Sequence, residues 1–210
     1  MIFNHPIPEA YPKSIVSLND EAVENVTVFR YLGSDIKHDE ESTGDEEINL
    51  RIDCAEGKFY QLGKKFMIAL SNRIPLLNAL VRSRLKYGCQ TWALTAQQKE
   101  RLSSSYISML RKMIRAGYKR KTDTWRFVYS NEQLLELCHV ESIDGFVHRM
   151  QRSYLAHIIR KNDDSIAKRL LFSSKRSRRP GRYISTMKSV LQREDCTMTQ
   201  FVKKAANKEY

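Results

Sequence analysis

The feature that most constrains the fold is a run of apolar residues between positions 48 and 66 that has the spacing of an α-helix. Successive members are four, three, four, three and four positions apart, which places all of them on one side of a helix. They are Ile48, Ile52, Ala55, Phe59, Leu62 and Phe66. Thr43 and Glu46 form the capping-box pattern that begins such a helix. Charged residues on the opposite side are expected to be exposed: Glu47, Arg51, Lys58 and Lys65.

Similar spacings and capping signals predict helices through the rest of the chain. Pro75 suits the first turn of a helix that extends to about Gln90. Thr95 and Gln98 form another capping box, and Gly117 is expected to end that helix. Its predicted buried side is Leu102, Tyr106, Met109, Leu110 and Met113. Further helices are predicted after the caps Ser130, Ser142 and Asp164, and over Ile184–Arg193 and Met198–Asn207.

The first forty residues have a different pattern, which indicates extended structure. Ser14–Leu18 and Val26–Ile36 are rich in β-branched and aromatic residues, and Leu18–Glu21 is a polar turn between them. The predicted fold is therefore mainly α, with a short N-terminal β-hairpin followed by a helical bundle and a second small helical region. The expected domains are residues 1–40, 41–128 and 129–210, the last with a basic linker over 173–182.

The charge of the chain is divided unevenly along its length. The net charge is +12, but residues 1–50 have a balance of −8 and residues 51–210 a balance of +20. Such a basic segment attracts polyanions, because each cation placed against a phosphate releases condensed counterions. A soluble surface that is simply rich in lysine has the same composition, so charge alone leaves both interpretations open.

Other classes of protein are disfavoured by the sequence. No apolar run approaches the roughly 20 residues of a membrane span, and the first residues lack the pattern of a signal peptide. The cysteines are far apart and form no CxxC pair, so reduced thiols and an intracellular location, in the nucleus or cytoplasm, are expected. They are Cys54, Cys89, Cys138 and Cys196.

No catalytic site, metal site or cofactor is expected from the residues. His148 and His157 are too far apart on one predicted helix to share an ion, and zinc sites need closer ligand pairs. The carboxylates of Asp39–Glu41 and Asp45–Glu47 are better explained as a solvated helix start, which the helix dipole favours.

Two basic clusters are candidate sites of contact with nucleic acid. Lys119, Arg120 and Lys121 lie close in sequence to Tyr118 and Trp125, a combination that suits phosphate contact and base stacking. A cationic helix end, favoured by the dipole alone, explains this cluster equally well. The second cluster fits a linker, a phosphate contact or a nuclear-import signal. It consists of Lys175, Arg176, Arg178, Arg179 and Arg182.

Several segments, in order along the chain, resemble one family. Phe29-Arg30-Tyr31-Leu32-Gly33 resembles the FKYLG signature of the LINE-type non-LTR retrotransposon reverse transcriptases, which follows the catalytic palm. The stretches 77–83, 87–92 and 110–113 resemble the thumb of that family, as does Asp45–Ile48. Tyr154–Arg160 and Arg179–Arg182 resemble the region beyond the thumb.

The resemblance implies a fragment of an RNA-directed DNA polymerase that lies after the catalytic motifs. Phe29, Arg30, Tyr31, Leu32 and Gly33 would then be a primer-grip-like hairpin. The Tyr-x-Asp-Asp motif of the family is absent from this sequence, so we expect no polymerase activity from this chain alone. The expected partner is the backbone of RNA, DNA or a hybrid duplex, with a palm domain encoded upstream in a full-length element.

Outward-facing cations of the thumb-like helices are expected to make the nucleic-acid contacts, together with the two basic clusters. The helix candidates are Arg82, Arg84, Lys86, Arg111, Lys112 and Arg115. Phosphate contacts of this kind do not read sequence. Two alternatives are that the chain belongs to an active reverse transcriptase, and that it is a relic with no role in nucleic-acid binding.

Overall fold

A computed structural model shows that the chain is mainly α-helical. The residues that it describes are 17–23, 26, 28–31, 33–37, 45–63, 70–115, 118–121, 124–172 and 182–207. The chain divides into two compact units, Met1–Asn49 and Leu50–Tyr210. The expected boundary near residue 128 stays a prediction.

The first unit contains two antiparallel strand pairs among its described residues. β1 (Ser17–Leu18) pairs with β2 (Glu21–Ala22), and the turn between them has positive φ angles at Asn19 and Asp20. The structure thus confirms the predicted turn. Asn and Asp suit it because they tolerate positive φ angles better than most residues.

The prediction of one strand over Val26–Ile36 is wrong. β3 (Val28–Tyr31) turns back onto β4 (Ser34–Lys37), with Tyr31 paired to Ser34. Gly33 has a φ of 83° in this turn, a conformation that glycine adopts without steric cost. The glycine interrupts what the apolar pattern presents as a continuous strand.

Helix α1 (Asp45–Gly63) confirms the apolar stripe where it is described. Ile48, Ala55, Phe59 and Leu62 are buried. Phe66, Lys65 and the proposed cap Thr43 lie outside the described residues.

None of the described charged residues opposite the apolar stripe of α1 is as exposed as expected, since Glu47 and Lys58 are half-buried. Arg51 is buried, and its guanidinium carbon lies 4.7 Å from the ring centroid of Tyr87. The aromatic face attracts the cation and covers it, so the prediction of a solvent-exposed Arg51 is wrong.

The next helical stretch already includes Leu70, five residues before Pro75, so the prediction that it begins at Pro75 is wrong. It comprises α2 (Leu70–Leu77), a π-helical turn over Asn78–Arg82, and α3 (Ser83–Leu85). Pro75 lies inside α2, where its ring nitrogen cannot donate the usual hydrogen bond. The π-turn changes the angular positions of the residues on it, and the adjacent Val81 and Arg82 are both buried.

Helix α4 (Ala96–Ile114) begins at the predicted capping box of Thr95 and Gln98. All of its predicted core residues are buried. The helix ends at Arg115 rather than Gly117, because Arg115 itself adopts the left-handed conformation, with a φ of 56°.

A second departure follows α4. The basic segment forms β5 (Tyr118–Lys121), which pairs with β6 (Thr124–Phe127). The sequence indicates no strand in this segment, which it places just after a helix end.

The remaining helices lie close to their predicted positions. They are α5 (Asn131–Leu137), α6 (Ile143–Ile159), α7 (Ile166–Leu171), α8 (Arg182–Arg193) and α9 (Met198–Ala206). Ser130 and Ser142 cap α5 and α6 as predicted. The cap of α7 is Ser165 rather than Asp164, which lies one residue too early.

Helix α6 organises the C-terminal part of the second unit. Its buried side packs against α7, α8 and α9 in one apolar cluster: Leu155, Ala156, Ile158, Ile159, Leu171, Val190, Phe201 and Ala205. The side-chain amide of Gln151 donates hydrogen bonds to the carbonyl oxygens of Trp92 (2.6 Å) and Cys89 (3.3 Å). Thr186 of α8 donates to the same Trp92 oxygen at 3.1 Å. The segment before α4 is therefore fixed to both helices.

An ion-pair network also joins α6 to the end of α8. Glu194 accepts contacts from His148 Nε2 at 2.7 Å and Arg152 Nη1 at 3.3 Å. Burial by itself would raise the pKa of Glu194, but the hydrogen bond from His148 and the charge of Arg152 hold this pKa below its usual value.

We expect Phe59→Ala to lower the free energy of unfolding by about 3–5 kcal/mol, because it leaves a cavity in the core. Tyr60→Ala is the control, since Tyr60 is the next residue of α1 and is exposed. Urea denaturation of the full chain measures both losses. Equal losses would show that Phe59 is not a core residue.

We expect Glu194 to stabilise the fold at neutral pH and to lose that effect in acid. Because its folded pKa is lowered, the contribution is complete above the unfolded value near 4.5 and disappears as the pH falls through the folded value. The stability difference between the wild type and Glu194→Gln should therefore shrink between about pH 5.5 and 3. Asp195→Asn is the matched control, and a Glu194→Gln difference that does not change with pH would contradict the network.

Candidate nucleic-acid interface

The helix candidates fall into an exposed group and a buried group. Arg84, Lys112 and Arg115 are exposed, and Lys86 is half-buried. Arg82 and Arg111 are only 8% and 7% exposed. The expectation that both point outward is wrong, and the reason lies in their partners.

Arg111 holds the segment before α5 against α4. Its Nη1 donates to the carbonyl oxygen of Tyr129 at 2.9 Å, and its Nη2 donates to Asn131 Oδ1 at 2.7 Å. A guanidinium has several donors in one plane, so it can bind two acceptors at once. These bonds use Arg111 for structure rather than for an outside ligand.

Arg82 is held in a similar way at the start of α6. Its Nη2 donates to the carbonyl oxygen of Glu141 at 2.6 Å. Its guanidinium carbon lies 5.5 Å from the ring centroid of Tyr106 and 5.1 Å from that of Phe146. The π-turn directs this side chain into the interior instead of toward solvent.

Lys112 combines exposure with a neighbouring aromatic residue. Its Nζ donates to the hydroxyl of Tyr60 at 3.2 Å, and Tyr60 is itself exposed. Lys112 lies in the last turn of α4, where the helix dipole favours a cation. A cation beside an accessible ring suits contact with a phosphate and a base, and the dipole explains the same charge without any ligand.

The two basic clusters are described only in part. Lys119, Arg120 and Lys121 lie on β5, where the register pairs Lys119 with Arg126 and Arg120 with Trp125. Arg182 is the first residue of α8. The other members of the second cluster lie outside the described residues: Lys175, Arg176, Arg178 and Arg179.

The primer-grip-like residues lie in the first unit, on the β3–β4 hairpin. Phe29, Arg30 and Tyr31 belong to β3, Gly33 to the turn, and Leu32 lies outside the described residues. Arg30 and Tyr31 are exposed, and the rings of Phe29 and Tyr31 have centroids 6.3 Å apart. The role of this hairpin in primer binding stays a prediction.

One concentration of charge, which we call the Phe146 cluster, is not indicated by the sequence. It consists of Arg82, Lys86, Arg149 and Glu141 around the ring of Phe146. The Nζ of Lys86 lies 3.7 Å from the ring centroid, and the guanidinium carbon of Arg149 lies 4.7 Å from it. Arg82 and Arg149 are far apart in sequence, so no local pattern connects them.

Among the described residues, no group of three or more His, Cys, Asp or Glu could hold a metal ion. Within those same ranges, no helix is long and apolar enough to cross a membrane.

Comparison with known proteins gives no relative. No family model, curated protein or solved structure matches the chain.

We expect Arg111→Gln to lower the free energy of unfolding by about 1–3 kcal/mol, because it removes the charged hydrogen bonds that the buried Arg111 guanidinium donates to Tyr129 and Asn131. Lys112→Gln, the adjacent exposed change, should alter stability by less than about 0.5 kcal/mol. Chemical denaturation of the two variants tests this difference. Arg111 is not structural if both variants are as stable as the wild type.

Proposed function

We propose that this chain binds the phosphate backbone of nucleic acid without sequence preference, as the thumb-like part of a LINE-type reverse transcriptase. The observation that carries the proposal is the balance of +20 over residues 51–210. The resemblance of residues 29–33, 77–83 and 87–92 to that family supports it. The proposal covers binding alone, because the sequence has no Tyr-x-Asp-Asp motif for phosphoryl transfer.

The pairing of the described cations supports a particular set of contacts. Lys99 and Arg193 both bind Asp144, and Lys168 binds Asp163, so carboxylates of this chain offset these charges. Arg84, Lys112 and Arg115 are exposed and have no carboxylate partner among the described residues. These three are the best candidates for phosphate contact on the helices.

A polyanion gains most from such unpaired, exposed cations. Each contact with a phosphate releases counterions, so affinity falls as the salt concentration rises. Contacts with phosphates position a protein on a duplex but carry no sequence information. The proposed binding is therefore sensitive to salt and tolerant of sequence.

We expect the triple change of Arg84, Lys112 and Arg115 to Gln to weaken binding to an RNA–DNA hybrid duplex. Three lost phosphate contacts should reduce the slope of log K against log salt by up to about 2.7. Fluorescence anisotropy of a labelled duplex, measured from about 50 to 300 mM salt, gives both affinity and slope.

The matched control changes Lys188, Lys203 and Lys204 to Gln, three exposed lysines of α8 and α9. Both triple variants lose the same formal charge, so a difference between them reports where the nucleic acid lies. Equal slopes for the two variants would refute the proposed contact set. No detectable binding at the lowest salt would refute the function itself.

A further inference from the structure

The Phe146 cluster places more positive charge together than its carboxylate can offset. Three cations lie within about 5 Å of one ring centroid, at 3.7 Å for Lys86, 4.7 Å for Arg149 and 5.1 Å for Arg82. Glu141 is the one carboxylate in contact with them among the described residues. The cluster therefore has an excess of two positive charges.

Glu141 is committed mainly to one of the three cations. Arg149 donates to both of its carboxylate oxygens, at 2.9 and 3.4 Å, whereas the nearest Arg82 nitrogen is 3.9 Å from the carboxylate. Burial raises the pKa of the nearby Cys89 thiol to about 11, so this group is neutral at pH 7 and adds no negative charge.

Lys86 has a lowered pKa. The largest cause is burial, and the neighbouring positive charges of Arg82 and Arg149 lower the pKa further. An anion bound beside Lys86 would relieve that repulsion, so the folded chain gains from filling the position.

Arg82 supplies a positive charge that is fixed before any ligand arrives. It is 8% exposed, and its Nη2 is held by the carbonyl oxygen of Glu141. Its Nε is buried and has no hydrogen-bond partner in the described part of the chain. An unsatisfied buried donor on a charged group is costly, so the fold itself leaves the charge of Arg82 incompletely compensated.

The ring at the centre of the cluster does not offer a surface to a base. Phe146 is 8% exposed, and cations lie close to it. Base stacking requires an open aromatic face. The cluster is therefore suited to a charge and not to a particular base.

We propose that the Phe146 cluster binds a phosphate group of the nucleic-acid backbone. Lys86 and Arg149 contact the phosphate oxygens, and Arg82 acts from behind as a positioning residue. This inference rests on the proposed function and adds to it a defined site and a contact residue, Arg149, that lies on α6 rather than on the thumb-like helices.

Two substitutions with opposite effects test the site. Lys86→Gln should weaken binding of a 12-base-pair hybrid duplex roughly eightfold at 0.1 M salt, since one lost phosphate contact removes about 0.9 from log K at that concentration. Glu141→Gln should strengthen binding, because it removes the competing carboxylate and keeps the main-chain acceptor of Arg82. Lys203→Gln is the control for a general loss of charge.

Titration of the full chain with inorganic phosphate gives an independent measurement. The NMR signal of the Lys86 Cε methylene should shift with phosphate, and the pKa of Lys86 should rise toward that of an ordinary lysine. Denaturation curves of each variant establish that it is folded at the temperature used.

The outcomes separate this inference from the proposed function. If the duplex binds but Lys86→Gln matches Lys203→Gln and Glu141→Gln changes nothing, the site is wrong and the function stands. If the duplex does not bind at all, the proposed function fails, and the phosphate titration decides the site alone. A Lys86 signal that phosphate leaves unchanged overturns the site in either case.

Discussion

The hydrogen bonds from the Gln151 amide to the carbonyl oxygens of Cys89 and Trp92 connect α6 to the segment between α3 and α4. The segment between α3 and α4 contains a 3-10 turn over Cys89–Thr91, and Gly88 permits the preceding bend with a φ of 78°. A turn of this kind leaves carbonyl groups without helical partners. Gln151 and Thr186 satisfy them from α6 and α8, so the turn, the start of α4 and the C-terminal helices depend on one another.

The same dependence on distant partners decides which parts of the fold the sequence predicts. The stripes of α1 and α4 and the caps Thr95, Ser130 and Ser142 are local patterns, and the structure agrees with them. The β5–β6 hairpin was missed because a run of Lys and Arg has little strand propensity, and its pairing partner lies across a turn.

The fate of the candidate cations has the same explanation. Arg82 and Arg111 have the charge and helical position of surface residues, but they donate to oxygens 59 and 18–20 residues away in the chain. Nothing near them in sequence marks those acceptors. Arg149 belongs to a site that its own stretch of sequence does not indicate, since its relation to Lys86 exists only after folding. Neither the burial of Arg82 and Arg111 nor the assembly of the cluster follows from local pattern.

If the charge of this chain attracts nucleic acid through the phosphate backbone, the affinity depends on salt and not on sequence. A salt titration on two hybrid duplexes of equal length and unrelated sequence measures both dependences. Straight, nearly coincident plots of log K against log salt are expected, each with a negative slope of about 0.9 for every phosphate contacted. Plots without slope would contradict an electrostatic contact. Affinities that differ about a hundredfold between the sequences would contradict backbone recognition, because each discriminated base pair contributes about 1–3 kcal/mol.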